Sequence, residues 1–460
     1  MKTIAAIRKI RLSLNGLVLF EELLQDTRIQ LLCGLFEELS KKETDFEKIY
    51  ISYHRFYKSM IGINWVEYLV QKLFDTDNAF VALASGSDNE KVNSDMMETA
   101  ARDLQIIQTL AEIKPGDILS LATALFQDQL PKADKEIFTG LLWPENWPVW
   151  RWDLPDGVND QTEVNDLSAA QWLRAIKSDF LKKFILQTRW ELNVPILVDY
   201  YRKVGYGIFG TYAAFKIKES CKKLEGVENP DPIRVNNLIC QEREQALVLH
   251  NTESFLQGFP ANNIILYGNR GTGKSSLVKA LLNEYVNKGL RIVQLKKNQI
   301  GLFPELVRDL ARIPLKFIVF IDDLSFNDVE EDYKHLKSLL EGGVEARPQN
   351  VLVYATSNRR HLVKESFVDR RSDDVHAQDN MEEKLSLADR FGITVTFLSP
   401  DQETYLKIVE GLAAQNKIRI ERDELRQRAL KWVMMHNGRS GRTARQFIDH
   451  LTGELAVSKN

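Results

Sequence analysis

The chain has 460 residues, of which 44% are hydrophobic and 27% are charged, with 24 glycines and 13 prolines. This composition excludes a disordered chain, a collagen-like fibre and a coiled-coil rod, and the length allows roughly two to four globular domains. The formal net charge of −3 gives no overall excess of positive charge for holding a polyanion. Nucleic-acid binding is therefore possible at a local patch but is not implied.

The cysteines and the N-terminus indicate the compartment. The three cysteines, Cys33, Cys221 and Cys240, are far apart and form no C-x-x-C pair, which suits a reducing environment. The basic N-terminus has only a short apolar stretch, interrupted by Asn15 and lacking a small-residue cleavage site, so a secretory signal is not expected. No window approaches the roughly 18 apolar residues of a membrane span. We expect a cytoplasmic protein without membrane contact.

The sequence pattern of the first half of the chain predicts helices. From residue 14 to about 204 the apolar residues recur at helical spacing, which predicts a helical accessory domain over 1–225. A loop over 143–157 contains prolines and four tryptophans, at positions 143, 147, 150 and 152. We expect this loop to fold back and bury aromatic area against the helices, the alternative being a surface that docks a partner.

The segment Gly205–Gly210 matches the G-x-G-x-x-G pattern of dinucleotide-binding proteins. That pattern functions in a tight turn between a strand and a helix. The preceding residues look helical or irregular, and no βαβ unit follows. The segment is therefore interpreted as a glycine-rich hinge.

The pattern changes after an acidic, proline-containing linker at 225–237. Short β-rich runs then alternate with helical segments, which predicts an α/β domain over 230–399, with a parallel sheet and helices on both faces. The predicted strands are 263–268, 291–296, 316–323, 350–357 and 393–398. From residue 401 onward the pattern is helical only, with about three helices, which predicts a small helical lid over 400–460.

A complete G-x-x-x-x-G-K-[ST] motif follows the first of these strands and opens a helix. Its residues are Gly268, Asn269, Arg270, Gly271, Thr272, Gly273, Lys274 and Ser275, with Ser276 next in the helix. In such a loop the backbone N–H groups surround the β-phosphate of a nucleotide. Lys274 is placed to contact the β- and γ-phosphates and Ser275 to bind Mg²⁺. The motif predicts binding of a nucleoside triphosphate with Mg²⁺.

Two carboxylates end the apolar run of the third strand, at Asp322 and Asp323. Adjacent acids at the end of a buried strand destabilise the fold unless a cation or a water site uses them. The run resembles a Walker B motif, in which Asp322 would hold Mg²⁺ directly or through water. Asp323 would then orient or deprotonate the attacking water.

The next strand ends in Thr356, Ser357 and Asn358. In an open parallel sheet, ligands lie beyond the carboxyl ends of the strands. A polar side chain at this position can therefore reach the γ-phosphate or its water, and Asn358 is our candidate.

These features together resemble the AAA+ ATPases, and two further segments extend the resemblance. The segment ending in Arg390-Phe-Gly resembles the one that presents an arginine finger, which implies that Arg390 acts on the nucleotide of a neighbouring subunit. The segment around Arg442 resembles the sensor 2 motif, which implies contact with the γ-phosphate of the same chain. The competing arginines are Arg359, Arg360, Arg370 and Arg445.

A narrower resemblance is to a prokaryotic family of AAA+-like ATP-binding proteins with a domain of unknown function. It covers nearly all of residues 230–455 and includes the loop motif, the two acids, the Asn358 strand and both arginine segments. Two residues depart from the wider AAA+ pattern. Asp323 stands where glutamate is usual and has a shorter reach. Cys240 stands where glycine is common, so the adenine-side loop containing Leu238 and Ile239 can differ in shape.

Two other polar features are assigned no chemistry. The segment between Asn358 and Arg390 contains acids with His361 and His376, but their spacing fits no familiar metal-ligand set, and a surface insertion is expected. The pair Lys296 and Lys297 follows a strand and is interpreted as a solvated strand end rather than a phosphate contact.

The sequence as a whole predicts a P-loop NTPase of the AAA+ type with an all-α N-terminal domain. The expected activity is Mg²⁺-dependent ATP hydrolysis coupled to remodelling or loading of a macromolecular partner. The expected assembly is a homo-oligomer with an unidentified protein client. The alternative is a nucleotide-gated binding module with negligible hydrolysis. A DNA-associated loader, which would need a basic face, is a third hypothesis.

Overall fold

The computed structural model describes residues 4–84, 94–152, 167–219, 223–324, 348–358, 390–436 and 438–457. The described residues belong to two compact units. One comprises Met1–Glu163 and Arg174–Thr211, and the other comprises Val164–Leu173 and Tyr212–Asn460. No helix among the described residues is both long and apolar enough to cross a bilayer. The predicted surface insertion, including His361 and His376, lies outside the described residues.

The first unit is helical. Its helices are α1 (Ile4–Leu14), α2 (Thr27–Ser40), α3 (Phe46–Met60), α4 (Trp65–Asp75), α5 (Ala79–Ala84), α6 (Ser94–Ala111), α7 (Pro115–Gln129), most of α8 (Ala169–Leu186) and α9 (Val194–Lys203). Side-chain caps fix several starts: Asp26 accepts from two backbone N–H groups of α2, and Asn64 does the same for α4. The all-α prediction for the N-terminal region is confirmed up to residue 203.

The tryptophan-rich loop folds back onto helix α3, as expected. Trp147 and Trp150 are buried, and their ring centroids lie 4.8 Å from Tyr53 and 5.0 Å from Phe56, respectively. The indole N–H of Trp152 donates to the carbonyl of Ala111 at 2.8 Å. The loop therefore contributes to the aromatic core of the first unit.

The Gly205–Gly210 segment follows helix α9 and contains a short 3₁₀ turn at Gly207–Gly210. No strand precedes it, so the geometry that a dinucleotide fingerprint requires is absent from these described residues. The helix before the segment and the 3₁₀ turn within it agree with the prediction that no strand–turn–helix unit is formed here.

The second unit contains a seven-stranded sheet. Its strands are β1 (Ala214–Ile217), β2 (Leu224–Gly226), β3 (Ile264–Gly268), β4 (Leu290–Leu295), β5 (Lys316–Ile321), β6 (Val351–Ser357) and β7 (Ile393–Phe397). The strand order is β2-β1-β4-β5-β6-β3-β7, and every pair is parallel except β1 with β2. The five predicted strands are confirmed with ends that differ by no more than two residues.

Strands β1 and β2 were not predicted. They lie in the last part of the predicted helical segment 1–225 and at the start of the predicted linker. With four and three residues, they are too short to show a clear alternation of apolar and polar side chains. The bounds of the three proposed domains stay a prediction.

Helices cover the sheet and continue beyond it. They are α10 (Glu242–Leu256), α11 (Lys274–Tyr285), α12 (Phe303–Ala311), α13 (Gln402–Gln415), α14 (Arg422–Met434) and α15 (Gly441–Val457). The connection from β3 to β4 runs along the sheet in the opposite direction to that from β4 to β5. Because such crossovers are right-handed, α11 and α12 lie on opposite faces. Helices α13 to α15 share their own apolar core, centred on Tyr405, Val409 and Leu451.

A buried carboxylate closes one loop of the first unit. Asp103 on α6 is fully buried and accepts hydrogen bonds from the backbone N–H groups of Val18, Leu19 and Phe20 at 3.0, 2.7 and 3.1 Å. These donors connect α1 to the following turn. Without the carboxylate all three would lose a charged acceptor, and the N–H of Phe20 would be buried without one.

We predict that Asp103→Ala lowers the free energy of unfolding by about 3 kcal/mol, because three backbone N–H groups lose a charged acceptor and the buried one, of Phe20, is left without a partner. Urea titration followed by circular dichroism measures this change. Glu98→Ala, at an exposed site on the same helix, is the control and should change stability by less than about 0.5 kcal/mol. Equal stability of the two variants would contradict this role of Asp103.

Candidate functional site

The site begins where β3 ends. Strand β3 stops at Gly268, the loop continues to Gly273, and α11 starts at Lys274. Gly271 and Gly273 have φ of 79° and 96°, in the left-handed region that favours glycine. A Cβ atom at Gly273 would lie 2.5 Å from the side-chain amide of Gln241, and one at Gly271 would lie 2.9 Å from Ser440 Oγ. The positive φ therefore favours glycine at both positions, and the Gln241 and Ser440 side chains would have to move to admit a Cβ atom.

The ammonium of Lys274 is held by its own loop. Its Nζ donates to the carbonyls of Gly268 and Asn269 at 2.7 and 2.8 Å, and to Asn358 Oδ1 at 3.2 Å. Lys274 is buried, and burial lowers the pKa of its ammonium, against the opposing effect of the charges of Asp322 and Asp323. A lysine with these neutral acceptors has a positive charge available for an anion.

Asp322 lies directly after β5 and accepts two short hydrogen bonds. The hydroxyls of Ser275 and Thr356 each donate to its Oδ1 at 2.6 Å. The pair of Ser275 and Asp322 offers the oxygen ligands that Mg²⁺ prefers. No cluster of three or more His, Cys, Asp or Glu suited to a metal occurs among the described residues. This donor set fits an ion that keeps several waters and phosphate oxygens as ligands, as Mg²⁺ does.

Asp323 adopts an unusual backbone conformation. Its φ is 54°, and its N–H donates to Thr356 Oγ1 at 3.0 Å. Aspartate tolerates this left-handed region better than most residues. The carboxylate accepts from Asn358 Nδ2 at 2.5 Å and lies 3.9 Å from the guanidinium of Arg270. Asn358 therefore links Lys274 to Asp323.

These groups line a cavity of about 460 Å³. Its charged lining residues are Arg270, Lys274, Asp322, Asp323, Arg442 and Arg445. The cations outnumber the acids, which suits an anionic ligand. The volume lies in the range typical of small-molecule sites.

The other side of the cavity is largely apolar, with Ile233, Leu238, Ile239, Ile408 and Leu412 in its lining. Such a surface suits the flat face of a nucleobase. Cys240, at the end of this wall, has φ of 60°. Cys240 therefore adopts the left-handed backbone conformation that glycine favours, although it stands where glycine is common in the wider AAA+ pattern.

The lid reaches the loop through its last helix. The backbone N–H of Arg442, in the first turn of α15, donates to the carbonyl of Gly271 at 3.2 Å. Arg445, a competitor in the sequence analysis, lies one turn further and also lines the cavity. The N-terminus of α15 therefore lies beside the start of α11, and both helix dipoles favour negative charge there.

Arg390 lies elsewhere. It is half-buried, is not among the residues that line the cavity, and precedes β7 by three residues. Ile393 pairs with Ile264 at the amino end of β3, whereas the loop begins at the carboxyl end, about 13 Å further along the strand. Its competitors Arg359 and Arg370 lie outside the described residues, as does Arg360.

The structure brings most of the predicted site residues together. Arg270, Gly271, Thr272, Gly273, Lys274, Ser275, Ser276, Asp322, Asp323, Asn358 and Arg442 line one cavity, and Gly268 and Asn269 contribute carbonyls to Lys274. Thr356 and Gln241 were not predicted as site residues. Gln241 Nε2 donates to the carbonyl of Thr272 at 2.7 Å. The position of Thr356 near the end of strand β6 could have identified it as a site residue. No pattern in the sequence indicates Gln241.

Comparisons with known proteins cover this part of the chain. Residues 210–455 match the model of a family described as "Protein of unknown function (DUF815)". The 26S proteasome regulatory subunit 4 homolog of Dictyostelium discoideum is 41% identical over 70 residues, which are 14% of this chain and 16% of that protein. The chromosomal replication initiator protein DnaA of Helicobacter acinonychis (strain Sheeba) is 25% identical over 166 residues, 35% of this chain and 33% of that protein.

A solved structure is also similar. The Thermotoga maritima RuvB Holliday junction branch migration motor matches with 17% identity and a TM-score of 0.35, over 50% of this chain and 67% of that chain. The chain spans a third or less of the length of the two protein relatives. The family match confirms the narrower resemblance, and the protein relatives support a nucleotide-binding P-loop fold of the AAA+ type.

We predict that Thr356→Val weakens Mg²⁺ binding in the presence of ATP by about tenfold or more, because a residue that orients a metal ligand typically contributes this much. A Mg²⁺ titration of fluorescent-nucleotide binding measures the change. Thr394→Val, at an exposed position of β7, is the matched control. An unchanged Mg²⁺ midpoint in Thr356→Val would show that the hydroxyl does not orient Asp322.

Proposed function

The chain belongs to the family described as "Protein of unknown function (DUF815)", and from its site we propose that it binds ATP with Mg²⁺ and hydrolyses it. One observation carries the proposal. A glycine loop at the start of a helix presents a buried lysine to a cavity that also contains two strand-end carboxylates and an asparagine. This combination suits a triphosphate whose terminal group must be both neutralised and attacked by water.

The residues divide the chemistry between them. The loop amides and Lys274 neutralise charge that develops on the transferred phosphoryl group. Ser275 and Asp322 would hold Mg²⁺, which supplies further positive charge to the phosphate oxygens when bound. Asp323 would orient the attacking water and accept its proton, with Asn358 fixing the carboxylate. The lid arginine Arg442 would contact the γ-phosphate of the same chain.

The position of Arg390 supports an assembly. Its separation from the loop along β3 and β7 prevents it from reaching the nucleotide of its own chain. As an arginine finger it would act on a neighbour, so a homo-oligomer is part of the proposal. Coupling of hydrolysis to remodelling or loading of a protein client belongs to the same proposal, as does a cytoplasmic location.

A second candidate is a nucleotide-gated binding module with negligible hydrolysis. Two observations favour it: Asp323 is shorter than the usual glutamate, and its carboxylate is engaged by Asn358 and Arg270. In this case the ATP and ADP states would change how the chain holds a partner. Phosphate release, measured over a wide range of protein concentration, separates the two functions.

We predict that Asp323→Asn retains ATP affinity within about threefold and lowers steady-state phosphate release by about 100-fold or more. Asparagine also tolerates the left-handed backbone at this position, so the variant removes the charge with little strain. Asp309→Asn, at an exposed site on α12, is the control. Turnover within twofold of wild type in Asp323→Asn would remove Asp323 from the mechanism. ATP binding without phosphate release by the wild type, at every concentration, would instead favour the gated module.

A further inference from the structure

We propose that Arg270 contacts the γ-phosphate of the nucleotide bound to its own chain and stabilises the transition state of hydrolysis in cis. This inference rests on the proposed ATP-binding function. Unlike the predicted finger Arg390, Arg270 acts within its own chain. Together with Arg442 it would give a single chain two arginines at the reacting phosphate, so part of the turnover needs no neighbour.

The position of Arg270 carries the inference. Arg270 is the third residue of the glycine loop, lines the cavity, and lies 3.9 Å from Asp323 Oδ2. Asp323 accepts from Asn358, and Asn358 in turn accepts from Lys274. These contacts run from the ammonium expected at the β- and γ-phosphates to the acid expected at the attacking water. Arg270 faces the water end of this series, beside the place of the γ-phosphate.

The present contact of Arg270 is weak enough to be exchanged. The side chains of Arg270 and Asp323 are 77% and 57% exposed. Exposed ion pairs with one long contact contribute little to stability. A phosphate group carries more charge than a carboxylate and accepts two parallel hydrogen bonds from the planar guanidinium. An arriving γ-phosphate should therefore compete with Asp323 for Arg270 and leave the carboxylate free for water.

The charges around Lys274 are consistent with this arrangement. Arg270, Lys274 and Arg442 line the same cavity. The three cations therefore repel one another across the cavity. A polyanion bound between these cations attracts each of them and offsets their mutual repulsion.

The reaction is a hydrolysis. The water oxygen forms a bond to the γ-phosphorus, and the bond from that phosphorus to the β–γ bridging oxygen breaks. Its electron pair stays on ADP, and a water proton passes to Asp323 and then to solvent. Arg270 donates hydrogen bonds to γ-phosphate oxygens, which carry dispersed negative charge in the transition state. It neither gains nor loses a proton.

The test compares Arg270→Met, which keeps an unbranched, flexible side chain and removes the charge and the hydrogen-bond donors, with Arg270→Lys, Arg390→Ala and the exposed control Arg308→Met on α12. Phosphate release per chain is measured from dilute protein, shown to be monomeric by light scattering, up to concentrations where the full chain assembles. Equilibrium affinities for ATP and ADP are measured for every variant. The ratio of these affinities reports contact with the γ-phosphate without requiring turnover.

We expect Arg270→Met to lower turnover by about 100-fold or more even for dilute chains, since an arginine finger is worth roughly 10³–10⁵ in rate in other NTPases. Its preference for ATP over ADP should fall about tenfold, the usual size of one charge-assisted contact. Arg270→Lys should recover part of both effects. Arg390→Ala should lower turnover at concentrations where the full chain assembles, and Arg308→Met should match the wild type.

Three results would overturn the inference: unchanged dilute turnover in Arg270→Met, an unchanged ratio of ATP to ADP affinity, or faster turnover. Faster turnover would show that Arg270 only restrains Asp323.

Failure of the proposed function gives a different result. If the wild type binds ATP but releases no phosphate, hydrolysis is refuted together with the catalytic part of this inference, and the affinity ratio decides the γ-phosphate contact. If it binds neither nucleotide, both proposals fail.

Discussion

The site depends on how the glycine loop holds the ammonium of Lys274. Left-handed glycines turn the chain sharply between β3 and α11, and the carbonyls of Gly268 and Asn269 bind the ammonium at the base of the cavity. These acceptors are neutral, so the positive charge of Lys274 is not paired directly with a carboxylate. The side chains of Gln241 and Ser440 lie within 3 Å of where Cβ atoms at Gly273 and Gly271 would stand. The loop is thus shaped by its own angles and by its neighbours.

The strand order explains why the remaining groups meet this lysine in the order that they do. Strand β6 lies between β5 and β3. Asn358, which follows β6, therefore lies between Asp323 after β5 and Lys274 after β3, and it bonds to both. Thr356, two residues earlier, is placed to donate to Asp322 and to accept from the backbone of Asp323. These hydrogen bonds join the ends of three adjacent strands. A phosphate bound at Lys274 would therefore alter the hydrogen bonding of Asp323 through Asn358.

Much of this arrangement could be predicted from the sequence because its parts are local. The five long strands carry β-rich runs, and parallel strands bring their carboxyl ends to one edge, so Asp322, Asp323 and Asn358 were expected beside the loop. What could not be predicted depends on contacts between distant segments. The apolar wall joins Ile233 and Leu238 to Leu412 of the lid, and the contact of Arg270 with Asp323 depends on the rotamers of two exposed side chains. Strands β1 and β2 were missed because four and three residues are too few to show an alternation of apolar and polar side chains.

The central claim, that the loop and Lys274 bind the phosphates of ATP, is tested most directly by the equilibrium affinity for ATP in the presence of Mg²⁺, measured by calorimetry on wild type and Lys274→Ala. The matched control is Lys279→Ala, an exposed lysine on the same helix α11. Loss of the buried ammonium should weaken binding by about 100-fold or more, since it removes the charge-assisted contacts to two phosphates. The control should bind as the wild type does. Wild-type affinity in Lys274→Ala would contradict the account.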